Sequence, residues 1–198
     1  KARLIISFAV LIILTTFAIG LMSLKRASEM ITSEAEYSLS SLTSEGEKVT
    51  TSRMESQAGN LKAMALLEEI QSMDWDIQKP ILQEYIEKSD FTDFGIIQPD
   101  GTTNYISGIS TQIYDTDSIL KIFDGDSYAY KFEVSSTHDQ STLVCAVPIE
   151  KDGKIVGGLI GQMDGTILSD IIKDIGYGKE GYAYIIDGYG NVIAHPEK

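Results

Sequence analysis

The residues best suited to chemistry are His138, His195, Cys145 and the Asp-Gly pairs at positions 100, 124, 152 and 164. The histidines lie far apart and lack the close pairing of a zinc site. None of these Asp-Gly pairs is followed by the ligand spacing of a calcium loop, and turn formation is a sufficient cause for each. Cys145 sits in the apolar run Leu143-Val144-Cys145-Ala146-Val147, where it reads as a small core residue, and a single cysteine permits no intrachain disulfide. There is no Gly-x-Ser-x-Gly, and Gly157-Gly158-Leu159-Ile160-Gly161 lacks the helix and lysine of a phosphate-binding loop. These patterns leave no candidate catalytic centre, metal site or resident cofactor. The chemistry they do allow is binding, and a formal net charge of −13 argues against nucleic acid phosphates as the partner.

The elements that would position a binding site begin with a membrane span. Residues 4–24, LIISFAVLIILTTFAIGLMSL, contain no charge and no proline. As a helix they reach roughly 32 Å, against a hydrocarbon core of about 30 Å. Ser7, Thr15, Thr16 and Ser23 can return their hydroxyls to carbonyls of the same helix. A cleaved signal peptide would have an apolar region of about 7–15 residues, so the pattern favours an uncleaved anchor over a signal or a buried core helix. Lys1 and Arg3 before the span balance Lys25 and Arg26 after it, so flanking charge does not orient it. Beyond Arg26 the chain holds 12 Lys and Arg against 29 Asp and Glu, which places that part outside the cytoplasm, away from an anionic leaflet. Residues 1–3 are then the cytoplasmic end.

Residues 25–72 contain no proline and read as a long stalk helix or two consecutive ones. Ile31, Ala35, Ser38, Leu42, Gly46 and Val49 recur at spacings of four and three. This thin stripe suits equally a homodimer contact along the stalk and packing on its own domain. Gly46 and Gly59-Asn60 are the expected breaks, and Leu61, Met64, Ala65, Leu67 and Ile70 form a denser face that should bury. Met73-Asp74-Trp75-Asp76 follows, with Trp75 as a packing anchor. A helix is expected over 81–88, capped by Asp76 or with Pro80 in its first turn.

From residue 91 the apolar period changes from helical to strand-like. A hairpin is predicted over 91–98 and 102–107 across Pro99-Asp100-Gly101, then a short helix over 118–123 and a half-buried strand over 128–134. A second antiparallel pair, 143–149 and 155–163, turns at Lys151-Asp152-Gly153-Lys154, with Gly157-Gly158 inviting a bulge. A helix over 166–175 leads to a Gly-rich segment and another hairpin, whose Ile185-Ile186 and Gly190 echo Ile96-Ile97 and Gly101. The fold class is therefore α+β, an antiparallel sheet with flanking helices. The echo suggests a second copy of the same domain type, beginning at 176 and cut off by the end of the chain.

One residue string carries a family resemblance. Gly176-Tyr177-Gly178-Lys179-Glu180-Gly181-Tyr182-Ala183-Tyr184-Ile185-Ile186-Asp187, ending in Val192-Ile193-Ala194-His195-Pro196, resembles the entry into the membrane-proximal module of double Cache sensors. Glu69-Ile70-Gln71-Ser72-Met73-Asp74-Trp75, and Val147-Pro148-Ile149 through Asp164-Gly165, resemble the membrane-distal module. The resemblance covers nearly the whole chain. It implies an extracytoplasmic sensor region of a bacterial transmembrane receptor, with a PAS-like distal domain over 73–175 and the start of a second PAS-like module over 176–198. Such sensors are joined to methyl-accepting chemotaxis modules, and also to diguanylate cyclases or histidine kinases, so cytoplasmic signalling proteins are implied partners.

In amino-acid-sensing members of that family an Arg on the helix after the first hairpin grips the ligand carboxylate, and an Asp near the last strand holds its ammonium. The matching stretch here is Tyr114-Asp115-Thr116-Asp117-Ser118, with Thr116 where the Arg would stand, so a bidentate clamp is missing. Asp164 matches the family acid, and Lys131 could supply a less directional positive charge. The resemblance thus implies a pocket lined by Tyr105, Tyr128, Tyr130, Lys131 and Asp164 for a small molecule, an amino acid or carboxylate among the options. The rival expectation is a ligand-free ectodomain with a filled core behind Lys131 and Asp164.

Overall fold

A single helix, α1 (Ala2–Ala65), organises the computed structural model, which describes residues 2–113, 118–134, 141–176, 178, 181–188 and 190–196. Its first part holds an 18-residue stretch of mean hydropathy 2.3, none of it buried, long and apolar enough by length and composition to cross a membrane. The hydroxyls of Ser7, Thr15 and Thr16 donate to Arg3 and Ile12 carbonyls at 3.0, 3.0 and 2.8 Å, so they close on their own helix. The expected breaks at Gly46 and Gly59 do not occur. A Cβ at Gly46 would stand 3.0 Å from Ile175 Cδ1, so this glycine serves close approach of a neighbouring segment, and the helix passes through it unbroken.

The last turns of α1 bury Ala58, Leu61, Met64 and Ala65, and α2 (Glu68–Gln71) then buries Ile70. Helix α3 (Trp75–Ile86) starts earlier than expected. Asp74, not Asp76, caps it, accepting the Asp76 N–H at 3.0 Å, and Pro80 lies inside it. Pro80 is tolerated there because it faces solvent, where the carbonyl it frees can meet water.

The remaining strands build a 6-stranded antiparallel sheet in the order β3-β2-β1-β6-β5-β4. They are β1 (Asp93–Ile97), β2 (Thr102–Tyr105), β3 (Ser110–Gln112), β4 (Ala129–Val134), β5 (Ser141–Lys151) and β6 (Lys154–Asp164). The β1–β2 turn closes on Gly101 at φ +86°, a conformation only glycine adopts cheaply. Strand β3 carries no apolar residue and was not expected. The expected bulge at Gly157-Gly158 is displaced: the register shifts instead between Ile149 and Glu150. A Cβ on Gly158 would meet Ile122 Cδ1 at 2.4 Å and Ile97 Cγ2 at 2.5 Å, so the pair is there for close packing.

Two cores follow from the alternation of side chains along the strands. One face packs Phe94, Ile96, Leu143, Cys145, Val147 and Leu159 against α1, α2, α3 and α4 (Thr166–Ile172). Burial raises the Cys145 thiol to about 12. The opposite face packs Ile97, Val144, Ala146 and Ile160 beneath a 3-10 helix, Ser118–Asp124, through Ile119 and Ile122. Of the expected second module, the described residues show a separate two-stranded sheet, β7 (Ile185–Ile186) and β8 (Val192–Ala194). The stretch 114–117 with Thr116, and the His138 loop, lie outside the described residues.

Candidate ligand-binding site

A cavity of about 420 Å³ lies on the face of the sheet that carries the 3-10 helix. Its floor is a row running across the sheet. Asp93 of β1 pairs with Gln162 of β6, Gln162 with Val144 of β5, and Val144 with Lys131 of β4. Directly paired residues share a face, so these side chains rise on the same side. Ile109, Ile113 and Ile119 add apolar wall.

Tyr105 of β2 is buried in this floor, and Gly95 opposite makes room for it. A Cβ at Gly95 would stand 2.8 Å from the tyrosine ring. Burial pushes the Tyr105 hydroxyl above its ordinary range, hydrogen bonding from Gln162 opposes this, and the charges of Glu133 and Asp93 reinforce it while Lys131 opposes it. Lys131 and Glu133, two apart on β4 and therefore on one face, form an ion pair at 2.7 Å. At 36% and 48% side-chain exposure this pair is a rim contact, worth about 0–1 kcal/mol. The half-buried Asp93 accepts two backbone amides with Oδ1, from Phe94 at 2.8 Å and Ser107 at 3.4 Å.

The five residues expected to form one pocket do not converge. Tyr105 and Lys131 line the cavity. Tyr128 and Tyr130 sit on the opposite face, because they alternate with Lys131 along β4. Tyr130 donates its hydroxyl to the Met54 carbonyl of α1, and Lys62 Nζ of α1 lies 5.2 Å from the centre of the Tyr128 ring. Asp164 ends β6 in solvent, where its Oδ1 accepts the Thr166 N–H at 2.9 Å and hydroxyl at 2.7 Å. It works locally, at the entry to α4. Asp93, Glu133 and Gln162 are cavity residues that sequence reasoning missed. Strict alternation in Tyr128-Ala129-Tyr130-Lys131-Phe132-Glu133 would have separated Lys131 and Glu133 from the tyrosines.

A larger groove of about 660 Å³ runs between the middle of α1 and residues 172–176 and 181–186, lined by Leu42, Gly46, Ile175, Tyr182 and Ile185 among others. Its walls are mostly apolar, with Glu47 and the hydroxyls of threonines and of Tyr182 and Tyr184 as the polar side-chain groups among the described residues. Leu42 and Gly46 of the stalk stripe face this groove, whereas Ile31 and Val49 stay exposed.

The fold built this way is shared with solved sensor domains. The ligand-binding domain of the Campylobacter jejuni chemoreceptor Tlp3, solved with 4-methylisoleucine, aligns at TM-score 0.58 and 14% identity, over 77% of this chain and 66% of that one. The Pseudomonas aeruginosa amino acid chemoreceptor PctC, solved with GABA, aligns at 0.56 and 18%, over 76% and 69%. The Pseudomonas fluorescens chemoreceptor CtaA, solved with L-serine, aligns at 0.56 and 14%, over 77% and 68%. The chain thus spans about two thirds of the first of these relatives, and at such identities the likeness is one of fold. No curated protein sequence matches. The Cache domain model matches residues 27–198, and with most of its length so covered the chain belongs to the Cache domain family.

Proposed function

We propose that this chain is the sensory region of a membrane receptor, taking a small molecule into the cavity over Asp93, Gln162 and Lys131 outside the cytoplasm. The observation that carries this reading is the cavity itself. A purely structural ectodomain would have a filled core behind Lys131, and about 420 Å³ lies within the usual range of ligand pockets. The cavity and α1 occupy opposite faces of one sheet, so a shift of β4 on binding reaches α1 through the Tyr130 hydroxyl and the Met54 carbonyl. A coupling of about 1–3 kcal/mol changes an equilibrium 5–150-fold, enough for a switch.

The sensor domain occupies 73–175 in this reading, the stalk 25–72, and residues 176–198 begin a membrane-proximal module. The exposed Ile31 and Val49 support a homodimer through the stalk. A chemotaxis output fits the chemoreceptor relatives best, and a diguanylate cyclase or histidine kinase output would use the same sensor. The test is a thermal shift screen of the full chain in detergent micelles against amino acids, carboxylates, amines and purines. A specific binder stabilises the folded state by about 2.7 kcal/mol at a hundredfold excess over its dissociation constant. A cooperative transition that no compound class moves would overturn the sensing reading in favour of the structural one.

A further inference from the structure

We infer that β4 is the moving wall of the cavity and that Lys62 of α1 is the positioning residue that tethers this wall to the stalk, through the face of the Tyr128 ring. The inference rests on the sensing reading above for its purpose and deepens it, and its test needs no ligand, so the two fail separately. Strand β4 is an edge of the sheet and pairs with β5 alone. Its cavity face carries Lys131 and Glu133, both part-exposed. A strand paired on one side and solvated on one face belongs to the part of a domain that opens most readily. Two neighbouring tyrosines fix where it rests. Tyr130 accepts the Ser118 hydroxyl of the 3-10 helix on its main-chain carbonyl at 3.2 Å, and donates its own hydroxyl to the Met54 carbonyl of α1. The 3-10 helix, the β4 wall and the stalk therefore meet at one residue.

Tyr128 leans edge to face on Tyr130, ring centres 5.7 Å apart, and holds Lys62 Nζ at 5.2 Å from the centre of its own ring. Met54 and Lys62 lie two turns apart on α1, about 12 Å along the helix. The two tethers grip β4 at separate heights, so the strand cannot tilt or shift without loading one of them. Lys62 is half-buried and forms no ion pair among the described residues, which leaves its charge to the ring. Burial raises the Cys145 thiol and the Lys62 charge opposes it, so the field of this lysine falls where Cys145 of β5 pairs with Tyr130 of β4. A cation is drawn to a ring face only within about 6 Å of its centre. Opening of β4 carries the Tyr128 ring out of that range, and the contact is lost with the closed position.

The test is native-state hydrogen exchange on the full chain in detergent micelles, resolved strand by strand. Lys62→Met keeps an apolar stem and removes the charge, whereas Lys62→Arg keeps a charge that stacks on aromatic faces. Exchange at the β4 amides is expected to quicken about two- to fivefold in Lys62→Met, the loss of one cation–π contact, with β1 and β6 unmoved. Lys62→Arg should return β4 to the wild-type rate. In a Tyr128→Leu background Lys62→Met should add nothing, since the two residues act as one contact. Unchanged β4 exchange in Lys62→Met, or equal quickening of every strand, would overturn the inference. Lys62→Arg exchanging as fast as Lys62→Met, or the full effect persisting beside Tyr128→Leu, would make Lys62 an ordinary packing residue and overturn it too. The sensing reading stands or falls on the ligand screen, whichever way β4 exchanges.

Discussion

On the helix side of the sheet, Phe94, Ile96, Cys145 and Leu159 are fully or almost fully buried beneath Leu61 and Ile70. On the other side the same strands carry Asp93, Gln162, Lys131 and Glu133 around open space. One face is closed by a 64-residue helix and its short followers, the other by a 7-residue 3-10 helix that covers part of it. The contrast teaches which face stabilises the domain and which keeps open space: the dry face supplies the burial that tolerates a polar hole on the other. Truncation on the dry face should therefore be the most damaging change. Phe94→Ala removes a ring with no exposed surface, packed 5.1 Å from Phe91, and is expected to cost about 3–5 kcal/mol in urea unfolding. A loss under about 1 kcal/mol would break the comparison.

The next largest effect comes from filling the wet face. In Gly95→Ala the new methyl meets the Tyr105 ring at 2.8 Å, and overpacking of this kind costs about 1–3 kcal/mol. The ring must move toward the cavity, so ligand affinity should fall together with stability. Tyr130→Phe sharpens the comparison from the other side. It leaves the ring in place and removes the hydroxyl that donates to Met54, a net loss of about 1 kcal/mol in the denaturation midpoint. Ligand binding is expected to persist, its affinity shifted at most by the coupling that this bond carries, because Tyr130 faces α1. A Tyr130→Phe protein that no longer binds ligand at all would place the two faces in one site.

Much of the fold was legible because period and turn chemistry agree with the tertiary context. The Pro99-Asp100-Gly101 and Lys151-Asp152-Gly153-Lys154 turns, the β1–β2 and β5–β6 pairs and the dense face at Leu61 and Ile70 all follow from alternation or helical spacing. Features decided by contacts distant in sequence were not legible. Gly46 looks like a helix breaker until Ile175 is placed against it, and Gly157-Gly158 looks like a bulge until Met73 and Ile122 are. The lining of the candidate cavity was half legible. Tyr105 and Lys131 were expected, but Asp93 and Gln162 become neighbours only through the β1–β6 register, which joins residues far apart in the chain. Strand order is a tertiary property, and no local pattern near Asp93 announces it.

Asp164 is the most sensitive probe of the boundary between the two faces, because it shares the side of Gln162 on β6 yet ends in solvent. Its hydrogen bonds from the Thr166 amide and hydroxyl hold its carboxyl below the usual range, burial opposing them weakly. A depressed folded pKa gives stability that is present above the ordinary carboxylate value of about 3.9 and lost as pH falls through the lower folded value. Asp164→Ala should therefore lower the denaturation midpoint slightly near neutral pH, by about 0.5 kcal/mol, at the low end for a lost cap at an exposed site. The difference from wild type should vanish in acid, where both chains lack the charge. The same variant distinguishes the two roles this carboxylate could have. A carboxylate with this local role shifts the midpoint equally with and without bound ligand, since its partner is Thr166, the first residue of α4. A ligand-holding carboxylate makes the shift grow with ligand concentration, and that result would extend the site from Asp93 across the sheet to the end of β6.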